Sequence, residues 1–253
     1  MRFANAIVKR PGAMTARGAG LGRLGKPDSA LIRQQHESYV RALRQCGLAV
    51  TVLDPSEDLP DSAFIGDAAI TTLHCAVFAN PRDEIRRSEP ATVEAAIRKY
   101  YTNLSRIEAP GTLDGGDVLM AGTHFYIGLS RRTNREGASQ LSGILKRHGF
   151  GVSCIEAEGT LPLQSSVSYL ESNNLLATAA FAKRAEFAKF NIVEIAEEAY
   201  AAGSVWINGT VLLPAGFPKT EEAIRSAGYR TVALDISEFM KLNGGPNRLS
   251  LRF

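Results

Sequence analysis

The chain of 253 residues carries 29 lysines and arginines against 26 aspartates and glutamates, a formal charge of +3, and 45% of its residues are apolar. These values are typical of a globular protein and exclude a disordered or collagen-like chain. The basic residues form no run longer than pairs such as Arg86-Arg87 and Arg131-Arg132. We therefore expect small-molecule ligands and no nucleic-acid partner.

The three cysteines, Cys46, Cys75 and Cys154, are too few and too scattered for a disulfide framework or a CxxC metal site. The first 14 residues lack the apolar core of a signal peptide, and the charge-free stretch 199–218 is interrupted by glycines and prolines. These features predict a cytoplasmic protein with no membrane partner. The histidines form no cluster at a metal-site spacing, so we expect no metal and no cofactor.

Strand-like and helix-like segments alternate from the N-terminus. The apolar segment Phe3–Val8 predicts a strand, and the glycine-rich residues 15–25 predict a loop. That loop is either a mobile flap, with Leu21 and Gly22 as its candidate residues, or a plain surface loop. Pro27-Asp28-Ser29 then predicts the start of a helix that ends at Gly47.

The same alternation continues to the C-terminus. The predicted elements are a strand at 49–53, paired strands over 68–78, a helix over 90–101, a hairpin over 118–129 turning at Gly122-Thr123, a helix over 134–148, strands at 152–155, 175–179, 192–195, 205–207 and 210–213, a helix over 220–227 and a strand at 231–234. A strand pair, a helix and another strand recur roughly every 50 residues, as in a radial repeat. An ordinary αβ sandwich would give the same periodicity. No linker divides the chain, so residues 1–253 are predicted to form one domain.

Several motifs are more specific than composition. They are residues 24–28 (LGKPD), 64–67 (FIGD), 108–117 (EAPGTLDGGD), 125–128 (FYIG), 132–134 (RTN), 212–216 (LLPAG) and the tail 249–253 (LSLRF). In this order they resemble the dimethylarginine dimethylaminohydrolases, and the resemblance to a bacterial member extends over the whole chain. It implies the pentein fold, a five-bladed αβ propeller in the α/β class, with one active site in the central channel.

The resemblance also implies a chemistry. Members of the family use a cysteine thiolate to attack the guanidinium carbon and a histidine as acid and base. Carboxylates hold the guanidinium and arginines hold the carboxylate of the substrate. A homodimer is a plausible assembly.

The substrate-binding positions of the family are matched in part. Asp61 matches the acid near the α-amino group, Asp67 the guanidinium-binding carboxylate, and Arg86 and Arg132 the arginines that bind the substrate carboxylate. Asp114 stands where the family generally has the longer glutamate, and Gly66 replaces a further acid. Each aspartate next to a glycine, Asp117 included, could instead be a turn residue.

The catalytic cysteine and histidine of the family have no counterpart at the matching positions of this chain. Arg248 occupies the slot of the nucleophilic cysteine before the tail motif, and Pro162 occupies the slot of the histidine. No cysteine follows Cys154 and no histidine follows His148, so a shifted alignment cannot restore either group. We interpret Cys46 and Cys75 as buried structural thiols, and His124 as a structural, hydrogen-bonded histidine.

Arg248 permits two hypotheses. Its guanidinium stays protonated and can serve neither as nucleophile nor as base. It could take the place of the substrate guanidinium between Asp67 and Asp114 and plug the site. Alternatively, it could receive an anionic group of a different ligand whose far end is held by Arg86 and Arg132.

Three functions remain open on the sequence. The first is an enzyme of altered chemistry acting on a small amino acid or guanidino compound, with Asp114 or Asp67 as acid or base and Arg248 stabilising negative charge. The second is a catalytically inactive amino-acid-binding or regulatory protein. The third is dimethylarginine hydrolysis through Cys154, Ser250 or a bound water.

Overall fold

The computed structural model describes residues 2–17, 24–157 and 161–253, and the proposed flap residues Leu21 and Gly22 lie outside these ranges. The described strands are β1 (Asn5–Lys9), β2 (Ala49–Leu53), β3 (Ala69–Thr71), β4 (Ala76–Phe78), β5 (Leu104–Arg106), β6 (Val118–Ala121), β7 (His124–Leu129), β8 (Gly151–Glu156), β9 (Val167–Tyr169), β10 (Asn174–Thr178), β11 (Asn191–Ile195), β12 (Val205–Ile207), β13 (Thr210–Pro214), β14 (Arg230–Leu234) and β15 (Leu251–Arg252). The α-helices are α1 (Ser29–Gln45), α2 (Ala91–Ile97), α3 (Arg135–Arg147), α4 (Ala179–Ala182), α5 (Pro218–Ser226) and α6 (Ser237–Met240).

The strands form five three-stranded sheets, in the orders β15-β1-β2, β3-β4-β5, β6-β7-β8, β9-β10-β11 and β12-β13-β14. In each sheet the middle strand pairs antiparallel with the first strand and parallel with the last. A helix, α1 to α5 in turn, crosses over between every middle strand and its parallel partner, as parallel pairing requires. The five repeats confirm the α/β, five-bladed propeller that the sequence predicts.

Five short 3-10 turns, one before the first strand of each sheet, come together at the centre of the propeller. They are Ile65–Asp67, Gly115–Asp117, Leu163–Ser165, Ala199–Gly203 and Pro246–Arg248. Each turn contacts the next one along the chain, and the last contacts the first, so that they close a ring. This central ring carries Asp67, Asp117 and Arg248, with Asp114 and Pro162 at the residue before a turn.

Local signals in the sequence set most element boundaries. Asp28 caps α1, because its side chain accepts hydrogen bonds from the backbone N–H groups of Ala30 and Leu31, both at 2.8 Å. The hairpin β6-β7 turns at Gly122, whose φ of 63° lies in the left-handed region. The helix predicted over 90–101 is shorter and ends at Ile97. The residues after it form a turn that buries Tyr101, whose hydroxyl donates to Thr72 O.

The core is divided among clusters between neighbouring blades. The largest packs α1 and α6 against β1, β12 and β13 and includes Tyr39, Leu43, Phe64, Phe239 and Leu249. Cys75 is buried as predicted, whereas Cys46 is only half-buried and Cys154 is exposed on β8. Within the described ranges, the helices are too short or too polar to cross a membrane.

Candidate functional site

Asp67 and Arg248 face each other across the central ring. The Arg248 Nε donates to Asp67 Oδ1 at 2.8 Å, and its Nη2 donates to Asp67 Oδ2, so the guanidinium and the carboxylate form a two-point pair. Arg248 Nη1 donates to Asn243 O at 3.0 Å, and the guanidinium lies 4.8 Å from the centre of the Phe64 ring. Both side chains are buried.

Two glycines, Gly66 and Gly244, allow the close packing around Arg248 and Phe64. A Cβ atom on Gly66 would lie 2.9 Å from Arg248 O, and one on Gly244 would overlap the Phe64 ring. The absence of a side chain at position 66 therefore leaves room for the backbone at position 248.

Arg86 reaches the same carboxylate from the other side. Its Nη2 donates to Asp67 Oδ2 at 3.0 Å and to Glu89 Oε2 at 2.8 Å, and its Nη1 lies 3.4 Å from Asp114 Oδ2. Burial acts to raise the pKa of Asp67, but the charges of Arg248 and then Arg86, with their hydrogen bonds, hold that pKa below its usual value. Asp67 is therefore ionised and fully engaged by two guanidinium groups.

The pKa of Asp114 is shifted in the opposite direction to that of Asp67. Burial, followed by the repulsion from the Asp67 carboxylate, raises the pKa of Asp114 to about 7. Its Oδ1 accepts from Gly116 N at 2.8 Å. The site thus places a carboxyl whose pKa is lowered, Asp67, next to one whose pKa is raised to about 7, Asp114.

Asp117 holds the loop that carries Arg132. It accepts hydrogen bonds from the hydroxyls of Ser130 (2.7 Å) and Thr133 (2.9 Å) and from Leu163 N (3.1 Å), and Arg132 Nη2 lies 3.5 Å from its Oδ1. This position agrees with the structural interpretation of Asp117 rather than with contact to a ligand.

A cavity of about 710 Å³ lies over the central ring. Its lining consists of Asp61, Phe64, Pro81, Arg82, Asp83, Arg86, Asp114, Arg131, Arg132, Leu161, Pro162, Leu242, Asn243 and Arg248. Asp67 is not part of that lining, because Arg248 and Arg86 cover it. We call this space the front cavity.

Asp61 is the acid at one wall of the front cavity. It is 7% exposed, and its Oδ1 has no hydrogen-bond partner in the described part of the chain. Burial raises the pKa of Asp61, and the charges of Arg86 and Arg248 oppose that rise only in part. A buried carboxylate oxygen without a donor is costly and is satisfied by a ligand that brings an N–H group.

The other residues considered for catalysis or ligand binding lie outside the described lining of the front cavity. Cys154 is exposed on β8, and Ser250 is buried beside Tyr39 Oη at 2.6 Å; neither lines the front cavity. The Nε2 of His124 makes a 2.9 Å hydrogen bond with Ser153 Oγ. In the described residues no group of three or more histidine, cysteine, aspartate or glutamate side chains could hold a metal ion.

Comparison with known proteins decides the family. Residues 24–160 match the family described as N,N dimethylarginine dimethylhydrolase, eukaryotic. The N(G),N(G)-dimethylarginine dimethylaminohydrolase of Pseudomonas aeruginosa is 44% identical over 253 residues, covering 99% of this chain and 100% of that protein. The chain belongs to the dimethylarginine dimethylaminohydrolase family.

Two solved structures are similar throughout. One is a cysteine-to-serine variant of the Pseudomonas aeruginosa enzyme complexed with citrulline, with a TM-score of 0.98, 44% identity and 100% of both chains covered. The other is an adduct of a histidine-to-glycine variant of a dimethylarginine dimethylaminohydrolase with S-methyl-L-thiocitrulline, with a TM-score of 0.97, 44% identity, and 99% of this chain and 100% of that chain covered. Relatives in this family thus bind small amino-acid-like ligands.

Sequence reasoning missed two groups in this member of the family. Glu89 is buried and binds Arg86 through both oxygens, and the spacing Arg86-x-x-Glu89 within one helical turn was the available signal. The carbonyl of Asn243 accepts from Arg248, and nothing in the sequence marks a backbone oxygen for that role. Arg86, predicted to bind a substrate carboxylate, already contacts three carboxylates of the protein.

Proposed function

We propose that this member of the dimethylarginine dimethylaminohydrolase family binds an amino acid in the front cavity and does not hydrolyse dimethylarginine through a thiolate. The observation that carries the proposal is the two-point pair between Arg248 and Asp67. In this pair the protein supplies its own guanidinium to the carboxylate that the family resemblance assigns to the substrate guanidinium.

The composition of the site supports the loss of covalent chemistry. A guanidinium carbon is attacked efficiently only by a strong nucleophile such as a thiolate. Arg248 and Pro162 hold the positions of the family's cysteine and histidine, and the described lining of the front cavity includes neither residue type. The two relatives described above, a cysteine variant and a histidine variant, are each complexed with or bound to an amino-acid-like ligand.

The ligand is an α-amino acid whose side chain lacks a guanidinium group. Asp61 receives its amino group, since the unpartnered Oδ1 needs an N–H donor. Arg132 receives its carboxylate, and Arg86 acts mainly by holding Asp67 and Asp114 in place. The side chain of the ligand then points toward Asp114, Pro162 and Arg248.

Two measurements test this proposal. Incubation with asymmetric dimethylarginine should yield no citrulline, because the described lining of the cavity holds neither a cysteine nor a histidine. Steady formation of citrulline by the purified protein would refute the proposal. Calorimetric titration with the standard L-amino acids should identify at least one that binds. Its affinity should fall about tenfold or more in Arg132→Ala, a loss of at least about 1.4 kcal/mol.

The control for the titration is Arg33→Ala, on the exposed side of α1, which should bind as the parent protein does. Binding unchanged by Arg132→Ala would show that Arg132 does not hold the ligand. If no standard amino acid binds, the proposed binding function is wrong.

A second candidate function rests on Asp114. A carboxyl whose pKa is near 7 can both give and take a proton at working pH, which general acid-base catalysis needs. An enzyme of altered chemistry would use Asp114 on the bound amino acid, with Arg248 stabilising negative charge. Mass spectrometry of the binding amino acid after incubation tests this: a product that forms with the parent protein and not with Asp114→Asn would favour catalysis over binding alone.

A further inference from the structure

A second channel lies on the other side of the central ring. Each 3-10 turn of the ring, or the residue directly after it, gives one residue to the channel: Gly66, Gly115, Gln164, Ser204 and Asn247. The walls come from the first strands of the five sheets, and the channel is therefore the axis of the propeller. Its volume is about 120 Å³. We call it the rear channel.

The two sides are separated by a thin wall. The neighbours of Gly66, Gly115 and Asn247 are Asp67, Asp114 and Arg248, which form the site on the opposite side. The rear channel shares none of its described lining residues with the front cavity.

Arg252, on β15, is the one cationic side chain in the described lining of the rear channel. Its Nη1 donates to Asn247 O (3.0 Å), Ser250 O (2.8 Å) and Ser250 Oγ (2.9 Å), which are all uncharged acceptors. Over the described ranges it forms no ion pair with a carboxylate, its buried Nε has no hydrogen-bond partner, and its Nη2 donates none of its hydrogen bonds.

The electrostatics of Arg252 differ from those of Arg248. Burial lowers the pKa of Arg252, and the group that opposes this effect is Tyr39 rather than an aspartate or glutamate. Glu171 also lines the rear channel but forms no ion pair with Arg252. A largely buried guanidinium without a counter-charge is costly, and an anion lowers that cost.

We propose that the rear channel is a binding site for a small monovalent anion, of the size of chloride or formate, held by the Nη2 edge of Arg252. The charge follows from the uncompensated guanidinium. The volume of about 120 Å³ has room for a small anion together with water.

The test introduces a carboxylate into the rear channel by substituting a lining residue. Thr71 lines the channel and is partly exposed, and its Oγ1 donates to Arg252 O at 3.2 Å. In Thr71→Glu the new carboxylate pairs with Arg252 and competes with the anion. Thr71→Gln has nearly the same shape without the charge and is the matched control.

Binding is measured by the line width of the chloride NMR signal during titration, with formate as competitor. We expect Thr71→Glu to weaken the site at least about tenfold and Thr71→Gln to retain the affinity of the parent protein. Equal line broadening in all three proteins would refute the proposal, since the chloride would then bind elsewhere, for example in the front cavity.

A second measurement does not depend on the folding of a variant. Crystals of the unchanged protein grown in sodium bromide should show an anomalous peak in the rear channel next to Arg252 Nη2. Anomalous peaks confined to the protein surface would mean adventitious ions only and would overturn the proposal.

Discussion

Arg248 and Asp67 depend on each other. A guanidinium stays charged at any working pH, and a buried charge is tolerated only with a partner and satisfied hydrogen bonds. Asp67 supplies the charge and two acceptors, while Asn243 supplies the third acceptor. The same pair that makes the buried arginine stable removes Asp67 from the reach of any ligand in the front cavity.

The raised pKa of Asp114 predicts the direction in which the stability of the protein changes with pH. Its pKa is higher in the folded protein than in the unfolded chain, so the folded state binds more protons between pH 4 and 7 and this group's contribution to stability falls as pH rises through that window. Asp114→Asn removes the effect. The stability of the variant relative to the parent should rise from pH 4 to 7, by up to about 4 kcal/mol for three pKa units, and stay level above.

Urea unfolding at each pH measures this difference. The control is Asp235→Asn, because hydrogen bonding to Ser237 N holds the pKa of Asp235 below its usual value. The stability difference between Asp235→Asn and the parent should therefore be flat from about pH 5 to 7. A flat difference for Asp114→Asn as well would show that Asp114 is ionised throughout.

At the scale of elements, the sequence predicts helices and hairpins better than short strands. Asp28 and Gly47 mark both ends of α1, and a glycine marks the β6-β7 turn. The strands β5, β9 and β15 have only three, three and two residues. These three strands were not predicted, because so few residues carry little pattern by themselves, whereas the equally short β12 coincides with a strand predicted at 205–207.

The cap of α1 can be tested directly. Asp28→Ala removes two hydrogen bonds from the first turn and should lower the free energy of unfolding by about 1 kcal/mol with an unchanged dependence on urea. Ser29→Ala, one residue further on, is the control and should change stability by less than about 0.5 kcal/mol. Equal losses in the two variants would argue against the cap.

At the scale of the whole molecule, the central ring could not be predicted from the sequence. Its five turns are separated by dozens of residues, and their meeting point follows only from the closed arrangement of the sheets. The family motifs located Asp67, Asp114 and Arg248 individually. That Arg248 reaches Asp67, and that Arg86 and Glu89 complete the network, depends on packing across the ring.

Closure of the propeller depends on the C-terminal segment, because β15 pairs with β1. Leu249 lies in the chain between Arg248 and β15 and is fully buried in the largest core cluster. Leu249→Ala should therefore cost about 2–5 kcal/mol of stability in thermal or urea unfolding. Leu73→Ala, at a leucine that is 63% exposed, should change it by less than about 0.5 kcal/mol. A loss below about 1 kcal/mol for Leu249→Ala would contradict this closure.

Calorimetric titration of L-arginine against the parent protein and Arg248→Ala tests the central claim most directly. If Arg248 takes the place of a guanidinium ligand on Asp67, its removal frees that carboxylate, and the variant should bind L-arginine at least about tenfold more tightly than the parent. Arg230→Ala, at an exposed arginine of β14, should leave the affinity unchanged. A folded Arg248→Ala protein with the parent's affinity for L-arginine would contradict the account.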